Sequence, residues 1–530
     1  MKIINSKNLF ILLLFIYFIV GAYFSLNTGL SIDEWPEQIL WDYNVSYIKQ
    51  ILFGLSHDTY IDFTNNELFL YGIGFQIISQ PIQHLLSNLI LKYQSINLYG
   101  AHLIAKHFVV FVSFFISGIF FHLLIKKINK NILFNYTATF LYLLYPYLFG
   151  HSLFNPKDIP FLSLWIICTY FSIEIFIKLT KELYLKYFDI ILISFLTAFL
   201  LSIRISGILI FLQYIFTFLI FLNVEKISFN YFIKKMYKNI FYFISLTFAF
   251  TYMFYPVFWK NPLLFIDAIN VMRNYPNNIC TLTLGKCMFA NKLDPTYIPI
   301  WFSVKLPLII ILGLFLLPFT EKKIFIEKNI KLTFGTLMLS IFLIPIILIL
   351  KKVNLYDEIR QIMFLIPLIF IVGLSSLFIF SKKLFYTLAF LTISIFVVEN
   401  VKIYPNQYVW FNTPSRVLDL SKNFELDYWG LSSRDLAENI RIQNISKSSK
   451  PCILTNPPWM IDSFLENSGF SCFGLWGEID SNFKRPFWAV QNMRNLKKGK
   501  SYKCDTVYES KFKFLFSKEE IITGRLLKCI

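Results

Sequence analysis

The stretch LFILLLFIYFIVGAYFSLNTGLSIDE, residues 9–34, decides the fold class. Its first part, residues 9–28, is an apolar run long enough to cross a hydrocarbon core of roughly 30 Å as a helix. The stretch ends in an acidic pair, Asp33 and Glu34. Because ionisable residues are costly within lipid, this pair is expected at the membrane surface. The sequence therefore predicts a spanning helix followed directly by two carboxylates.

The composition extends this interpretation to most of the chain. Of the 530 residues, 56% are hydrophobic, 15% are charged and 61 are Phe. A chain this apolar is not a soluble globular protein. The formal net charge of +18 would suit a nucleic-acid-binding protein, but the lysines occur in short groups between apolar runs. We therefore predict a membrane protein with no nucleic-acid partner.

Further apolar runs predict an all-α polytopic membrane domain over residues 1–400. No small-residue cleavage site follows the first run, so we interpret it as a retained anchor and not as a signal peptide. Eleven transmembrane helices are predicted, at residues 9–28, 98–125, 132–150, 159–178, 187–203, 205–222, 239–258, 299–318, 333–350, 362–380 and 384–400.

Lysine-rich connections predict the orientation of these helices. Five short segments hold two to four lysines each: 126–130, 178–186, 224–238, 321–331 and 381–383. The positive-inside rule makes them cytoplasmic, which places the amino terminus inside and the carboxy-terminal region outside. If residues 187–222 were one tilted helix with Arg204 at its middle, the later lysines would lie outside, against the rule. Two short helices with Arg204 at their outer turn fit better.

The regions on the outer side are too long to be simple connections. Residues 31–97 and 259–298 form the two longest outer loops, and the patterns at 37–55 and 72–91 predict helices lying in the membrane interface. From about residue 401 the chain is more polar, with short apolar stretches at 511–516 and 524–530 that are typical of strands. We predict a small outward-facing α/β domain over residues 401–530.

Cysteine positions agree with an outward-facing carboxy-terminal region. Of seven cysteines, only Cys168 lies in a predicted span. Disulfides are expected among the other six, with Cys280 and Cys287 as a local pair, and six unpaired thiols are the alternative.

The predicted topology gathers ionisable residues from several segments at the outer rim of the membrane domain. Basic residues there run against the positive-inside rule, and ionisable groups at membrane depth usually mark a functional site. Each also has a purely structural explanation, such as a helix cap, a local ion pair or a side chain reaching the head groups. The candidates are Asp33, Glu34, Lys106, His107, His151, Lys157, Asp158, Arg204, Tyr356, Asp357 and Arg360.

Carboxylates beside several cations suit the transfer of a sugar from a lipid phosphate. Arginine and lysine would bind the phosphate and stabilise the charge that develops as the glycosidic bond breaks. A carboxylate near the acceptor hydroxyl would take its proton. One such displacement inverts the anomeric centre. The alternatives are a transporter or flippase, which would place charges near the bilayer midplane, and a non-catalytic membrane scaffold.

The acidic pair after the first span, the many spans and the outward-facing carboxy-terminal region resemble the GT-C superfamily of polyprenyl-phosphate-sugar-dependent glycosyltransferases. The likeness is to the protein O-mannosyltransferases and the lipid A aminoarabinose transferases, in a bacterial branch. It covers residues 9 to about 430. The motifs that carry it, in order, are FNPKDIPF (154–161), SIRISG (202–207), YPVFWKNP (255–262), NLYDEIRQ (354–361), YPNQYVWFN (404–412) and DYWG (427–430).

The resemblance implies a hexosyl- or pentosyltransferase of the bacterial inner membrane with a periplasmic carboxy-terminal domain. Its donor would be a polyprenyl-phosphate-linked sugar and its acceptor a lipid, glycan or protein hydroxyl. Asp33 would be the catalytic base, with Glu34 as its neighbour. Because paired DxD motifs are absent, no obligatory metal is expected, although the acidic pair leaves room for a divalent cation.

The resemblance also distributes roles among the other candidates. The donor phosphate would be bound by Lys157, Arg204 and Arg360, with Lys106, His107 and His151 as further candidates. Asp158, Asp357 and Tyr356 would orient these cations or shape the acceptor site.

Overall fold

The computed structural model describes residues 6–54, 71–274, 279–325, 327–442, 452–455, 457–465, 472–475, 487–492 and 504–529. The chain is mostly helical, at 72%, with a small sheet region near the carboxy terminus. Its helices are α1 (Ser6–Leu26), α2 (Glu34–Phe53), α3 (Gly74–Tyr93), α4 (Leu98–Ile128), α5 (Ile132–Leu143), α6 (Pro146–Ser152), α7 (Asp158–Leu179), α8 (Tyr187–Ile203), α9 (Ile210–Glu225), α10 (Phe229–Phe254), α11 (Leu264–Asn274), α12 (Tyr297–Lys305), α13 (Leu308–Phe315), α14 (Leu317–Ile324), α15 (Lys328–Leu350), α16 (Ile366–Phe380), α17 (Lys382–Lys402), α18 (Leu420–Asn423), α19 (Ser433–Ile442) and α20 (Trp459–Leu465).

Seven helical segments in the described ranges are long and apolar enough to cross a membrane. An eighth would be the pair α5 and α6, which bends by 60° at its break. These helices establish a multi-pass membrane protein, but the predicted number of eleven spans is not confirmed. The seven are α1, α4, α7, Ile205–Glu225, α15, Arg360–Phe380 and α17.

Of the other predicted spans, 187–203 and 299–318 are helical but short or broken, whereas 239–258 lies in the 26-residue helix α10, which is not among the seven. The helix α8 has only 17 residues. The predicted span 299–318 is divided between α12, α13 and α14, and its first break lies at Leu306 and Pro307. Proline disfavours helical backbone at the residue before it, and Leu306 is accordingly extended, with ψ 140°. Pro307 therefore interrupts the helix, although the hydropathy of the segment is continuous.

The helix α16 lies at the centre of the bundle. It belongs to the segment Arg360–Phe380, in which 94% of the most apolar 18-residue stretch is buried. It packs against α13 so closely that a Cβ added at Gly313 would lie 2.0 Å from the carbonyl oxygen of Gly373. Glycine is therefore needed where the two backbones touch. By contrast, only 22% of the corresponding stretch of α1 is buried. This low burial suits a helix at the lipid-facing perimeter.

The predicted outer helices at 37–55 and 72–91 are present as α2 and α3. Gln76 and Gln80 of α3 point to α2, where they donate to Glu37 (2.7 Å) and Gln38 (2.8 Å). The opposite side of α3 is apolar and exposed, as expected for a helix whose outer side faces lipid. Its exposed residues include Ile77, Ile78, Leu85 and Leu89.

The strands occur in two places. A hairpin of β1 (Cys280–Thr283) and β2 (Lys286–Phe289) lies between α11 and α12. The carboxy-terminal sheet has the order β4-β3-β5-β7-β6, with β3 parallel to β4 and β5 and the other pairs antiparallel. These strands are β3 (Cys452–Thr455), β4 (Cys472–Leu475), β5 (Phe487–Asn492), β6 (Cys504–Phe512) and β7 (Ile521–Cys529).

Among the side chains that the structure describes, two disulfides join cysteines of these strands. The predicted local pair Cys280–Cys287 is confirmed and closes the β1–β2 hairpin. A second disulfide, Cys504–Cys529, joins β6 to β7. Cys452 and Cys472 are register partners in the parallel β3–β4 pair, and their side chains lie outside the described residues. The predicted strand at 524–530 is confirmed by β7, whereas only the beginning of the stretch 511–516 is extended, in β6.

Candidate functional site

Arg360 is the centre of an ion-pair network that joins residues far apart in sequence. Its Nη1 lies 3.2 Å from Asp33 Oδ2 and 3.9 Å from Asp158 Oδ2, and its Nη2 lies 3.2 Å from Asp357 Oδ2. The other carboxylate oxygen of Asp158 accepts from Arg204 Nη1. The structure thus brings together five of the predicted site residues, all located at the ends of helices or in the turns beside them.

Asp33 is the accessible carboxylate of this network. Its side chain is 35% exposed, whereas those of Asp158 and Asp357 are only 1% and 2% exposed. Asp33 directly precedes α2 and its side chain does not cap that helix. Its carboxylate is held by Arg360 and remains open on its other side to an incoming group.

The turn before α7 explains how Asp158 reaches both arginines. The side-chain oxygen of Asn155 accepts the backbone N–H groups of Lys157 (3.2 Å) and Asp158 (2.9 Å). Its amide nitrogen donates to Asp158 Oδ2 at 2.9 Å. Asparagine favours such turns because its side chain bonds the backbone two or three residues on. The segment FNPKD therefore fixes the Asp158 carboxylate against Arg204 and Arg360.

Lys157 pairs with an acid that the predicted site did not include. Its Nζ lies 2.5 Å from Glu37 Oε1 and 3.7 Å from the ring centroid of Tyr71. Burial alone would lower the pKa of Lys157, but Glu37 and Tyr71 outweigh it, and the pKa lies above its ordinary value. Lys157 is therefore a charged group on the α2 side of the site, and its partner is Glu37, not the adjacent Asp158.

Glu34 and His107 form a separate, fully buried pair. Glu34 Oε2 lies 2.9 Å from His107 Nε2, and Glu34 Oε1 accepts the backbone N–H of Ser31 at 2.6 Å. His107 Nδ1 lies 3.1 Å from the carbonyl oxygen of Ser25. These contacts fix the loop between α1 and α2. The structure therefore places His107 against Glu34 and not in the Arg360 network.

Lys106 is also fully buried, and its Nζ has no hydrogen-bond partner among the described residues. It forms no ion pair with the Arg360 network in that part of the chain. The charged groups that interact with Lys106 include Glu34, Glu37 and Lys157, so it lies near the α2 side of the site.

The turn that carries Asp357 has an unusual backbone. Asp357 and Glu358 both have positive φ, at 53° and 68°, which costs on the order of 1–3 kcal/mol for each non-glycine residue. Asp357 and Arg360 are three residues apart, and their ion pair spans this left-handed turn, with a 3₁₀ segment beginning at Arg360. This turn places the Asp357 carboxylate beside Arg360.

Three neighbours hold the strained turn in place. Thr281 Oγ1 accepts the backbone N–H of Asp357 at 2.8 Å, and the Tyr297 hydroxyl donates to the carbonyl oxygen of Glu358 at 2.9 Å. Lys305 Nζ lies 2.8 Å from Glu358 Oε1. Burial raises the pKa of Glu358 to about 8, and Lys305 opposes that rise. The disulfide-closed hairpin of Thr281 is thereby connected to the site.

We expect Thr281→Val to lower stability more than Thr281→Ser. Valine keeps the shape of threonine but leaves the buried N–H of Asp357 without its acceptor, at a cost of about 1–3 kcal/mol. Serine retains the hydroxyl. Thermal unfolding of the purified chain in detergent measures the difference, and a Val variant as stable as the Ser variant would contradict this role.

Aromatic side chains surround the Arg360 guanidinium. Its Cζ lies 4.9, 4.7 and 5.8 Å from the ring centroids of Tyr356, Trp429 and Tyr428, respectively. The DYWG turn is fixed by Asp427 Oδ1, which accepts the backbone N–H groups of Trp429 (3.0 Å) and Gly430 (2.8 Å). The sequence interpretation placed the chemistry in the membrane part alone, but residues beyond 400 form part of the site wall.

The carbonyl oxygen of Trp429 also accepts the backbone N–H of Ile32 at 3.1 Å, next to Asp33. Ser433 bonds both the N–H and the carbonyl oxygen of Leu30. The 427–433 segment thus holds the loop that carries the acidic pair.

A cavity of about 120 Å³ opens beside the network. Arg204, Tyr71, Tyr356 and Gln361 give it a polar side, whereas Leu209, Leu348, Val353, Leu355, Ile362 and Phe364 give it an apolar side. Two larger crevices, of about 340 and 570 Å³, are lined almost wholly by apolar residues and share no residue with the network. The small cavity, unlike these two, joins charge to an apolar wall.

No group of three or more His, Cys, Asp or Glu side chains in the described residues is arranged to hold a metal ion. Among those residues the site carboxylates are instead paired with lysine, arginine or histidine.

Comparisons with known proteins give no family for this chain. None of the protein-family models matches it. A search of curated proteins finds no match either. What the site does must therefore be inferred from its own chemistry.

Proposed function

We propose that this chain is a membrane glycosyltransferase of the GT-C type. It would move a sugar from a polyprenyl-phosphate carrier to an extracytoplasmic acceptor hydroxyl, with inversion. The observation that carries the proposal is the position of Asp33. It is a partly exposed carboxylate, held by Arg360, in a network whose Arg204 lines a cavity with a polar and an apolar side.

Asp33 has the chemistry of a general base for this reaction. The acceptor hydroxyl attacks the anomeric carbon while Asp33 takes its proton, and the bond from that carbon to the phosphate oxygen breaks. The products are the glycosylated acceptor, polyprenyl phosphate and a proton on Asp33. Because Asp33 is more exposed than the other carboxylates of the network, it is the one that an acceptor reaches first.

Arg204 is our candidate for the phosphate of the donor. It lines the small cavity, whose apolar residues suit the first carbons of a lipid chain. A guanidinium presents several N–H donors to phosphate oxygens, and it stabilises the charge left on the carrier when the sugar departs. Lys157 adds a second cation on the α2 side.

The arrangement favours an enzyme over a transporter or flippase. Arg204, Asp158, Arg360 and Asp33 are joined by consecutive contacts at helix ends. A transporter would be expected to carry its charges on a path through the bilayer midplane.

The remaining features of the proposal follow the sequence interpretation. The site would face the periplasm of a bacterial inner membrane, with the lysine-rich connections in the cytoplasm. The acceptor would be a lipid, glycan or protein hydroxyl. No obligatory cofactor is proposed, and a divalent cation remains an additive to vary in the assay.

Sugar transfer in membranes tests this function. Membranes containing the chain are incubated with radiolabelled undecaprenyl-phosphate glucose, galactose, mannose or arabinose, with and without Mg²⁺, and labelled lipid, glycan and protein are separated. Transfer to one acceptor class that depends on the chain supports the proposal. Carrier movement across the bilayer with no transfer from any donor would favour a flippase instead.

We expect Arg204→Ala to weaken use of the donor about tenfold to a hundredfold in kcat/KM. A hydrogen bond to a charged group contributes about 1.5–3 kcal/mol, and the variant loses the guanidinium at the cavity. Donor-concentration curves measure the change. Arg441→Ala is the matched control, since Arg441 bonds the carbonyl oxygens of Ser95 and Phe464 away from the network. Equal loss in both variants would show that Arg204 has no specific role.

A further inference from the structure

Among the buried N–H donors around the site, three that lie next to one another have no acceptor in the part of the chain that the structure describes. They are Arg360 Nε, His151 Nε2 and Trp429 Nε1. The three residues are only 6%, 0% and 1% exposed. Leaving a buried donor unpaired is unfavourable, so three together call for an explanation.

The hydrogen bonds of Asn155 show which nitrogen of His151 carries the proton. Asn155 Oδ1 already accepts two backbone N–H groups, which fixes the orientation of the amide. Its Nδ2 therefore faces His151 Nδ1, at 3.1 Å, and donates to it. A neutral imidazole whose Nδ1 accepts carries its hydrogen on Nε2. The unpaired atom of His151 is thus a donor, like those of the other two residues.

The three residues are neighbours, with Trp429 in the middle. The Arg360 guanidinium lies 4.7 Å from the Trp429 ring centroid. The ring centroids of His151 and Trp429 are 6.5 Å apart, at an interplanar angle of 80°. We call these three groups the N–H triad. They come from α6, from the start of the α16 span and from the DYWG turn.

The triad suits neutral oxygen atoms better than a phosphate. All three groups donate, so their partner must supply acceptors. The charge of Arg360 is already balanced by Asp33 and Asp357, and the other two groups are neutral. A phosphate would bring negative charge where no cation is in excess. A sugar has several hydroxyl groups that point in different directions, and each hydroxyl oxygen is a neutral acceptor.

We propose that the N–H triad binds hydroxyl groups of the sugar that is transferred. This inference rests on the proposed glycosyltransferase function and adds the location of the sugar. Arg360 joins the triad to the base, since its Nη1 contacts Asp33 at 3.2 Å while its Nε belongs to the triad. A sugar held there would contact the arginine that also holds the base.

Binding to the full-length chain in lipid nanodiscs tests the triad. Undecaprenyl phosphate is compared with undecaprenyl-phosphate glucose, galactose, mannose and arabinose by competition against the radiolabelled bare carrier. We expect the native chain to bind at least one sugar-bearing carrier about tenfold more tightly than the bare carrier. Trp429→Phe and His151→Phe each keep a ring and remove an N–H, and each should reduce this preference about threefold to tenfold.

Trp410→Phe is the matched control. Trp410 is also buried, but its Nε1 donates to Glu399 at 2.5 Å, outside the site. It should leave the preference unchanged. The proposal is overturned if the native chain prefers no sugar-bearing carrier, or if both triad variants fold and keep the full preference, which would assign the donors to ordered water alone. If the native chain prefers a sugar-bearing carrier but transfers no sugar, the triad is supported and the transferase function is overturned. If the chain transfers sugar but the triad variants keep the full preference, the transferase function is supported and the triad is overturned.

Discussion

We expect Asp33→Asn to abolish sugar transfer while the chain still inserts and folds. Asparagine has the size of aspartate and retains an oxygen for the Arg360 contact, which is 3.2 Å in the native chain. It cannot take a proton from the acceptor hydroxyl. General-base catalysis contributes typically about 10²–10⁴-fold, so the rate should fall by at least about a hundredfold. Initial rates in membranes with matched protein levels measure the effect.

Two further variants separate base chemistry from general damage at this face. Asp419→Asn alters an acid that pairs with exposed Lys422 outside the site, and it should retain full activity. Glu34→Gln weakens the buried contact with His107 and should affect thermal stability more than the chemical step. If Asp33→Asn keeps native activity while Glu34→Gln loses it, the base has been assigned to the wrong carboxylate.

The sequence identified the individual members of the network because each stands where a local pattern changes. Asp33, Asp158, Arg204 and Arg360 all lie where an apolar run meets polar residues. Such positions are readable from hydropathy alone, since ionisable groups in or near the membrane are rare and usually functional. The helical character of the membrane part and the helices α2 and α3 followed from the same signal.

The pairing of these residues was not readable, because it depends on contacts between distant segments. Arg360 and Asp33 are 327 residues apart. The choice of Glu37 over Asp158 as the partner of Lys157 is set by how α2 packs beside the turn before α7, and no local pattern encodes it. The adjacency of Lys157 and Asp158 in the sequence therefore does not indicate which residues pair.

Backbone strain and the aromatic wall were missed for different physical reasons. Positive φ is usually marked by glycine or asparagine, but the turn at Asp357 and Glu358 contains neither, and tertiary contacts from Thr281 and Tyr297 hold it. The DYWG motif contributes to the family resemblance, but no local sequence pattern indicates that Trp429 packs on Arg360. The hydropathy profile is likewise continuous at Pro307, so it does not indicate that the helix breaks there.

The second large effect is expected from Arg360→Gln, in stability as well as in activity. The variant leaves Asp357 buried without the guanidinium that lies 3.2 Å away in the native chain. Removing one partner of a buried ion pair costs about 3–5 kcal/mol, because the other charge stays desolvated. We expect a marked drop in the midpoint of thermal unfolding in detergent and no measurable transfer.

A double variant shows which loss belongs to folding and which to chemistry. In Arg360→Gln with Asp357→Asn both charges of the pair are gone, so much of the lost stability should return, as a positive coupling between the two changes. Activity should not return, because Arg360 also orients Asp33, and glutamine does not replace the fork of a guanidinium. Arg360→Lys keeps the positive charge but lacks the forked geometry of the guanidinium. It should therefore retain more of the native stability than of the native transfer activity. Recovery of transfer in the double variant would mean that Arg360 serves only to neutralise Asp357, and the base would then need another residue to orient it.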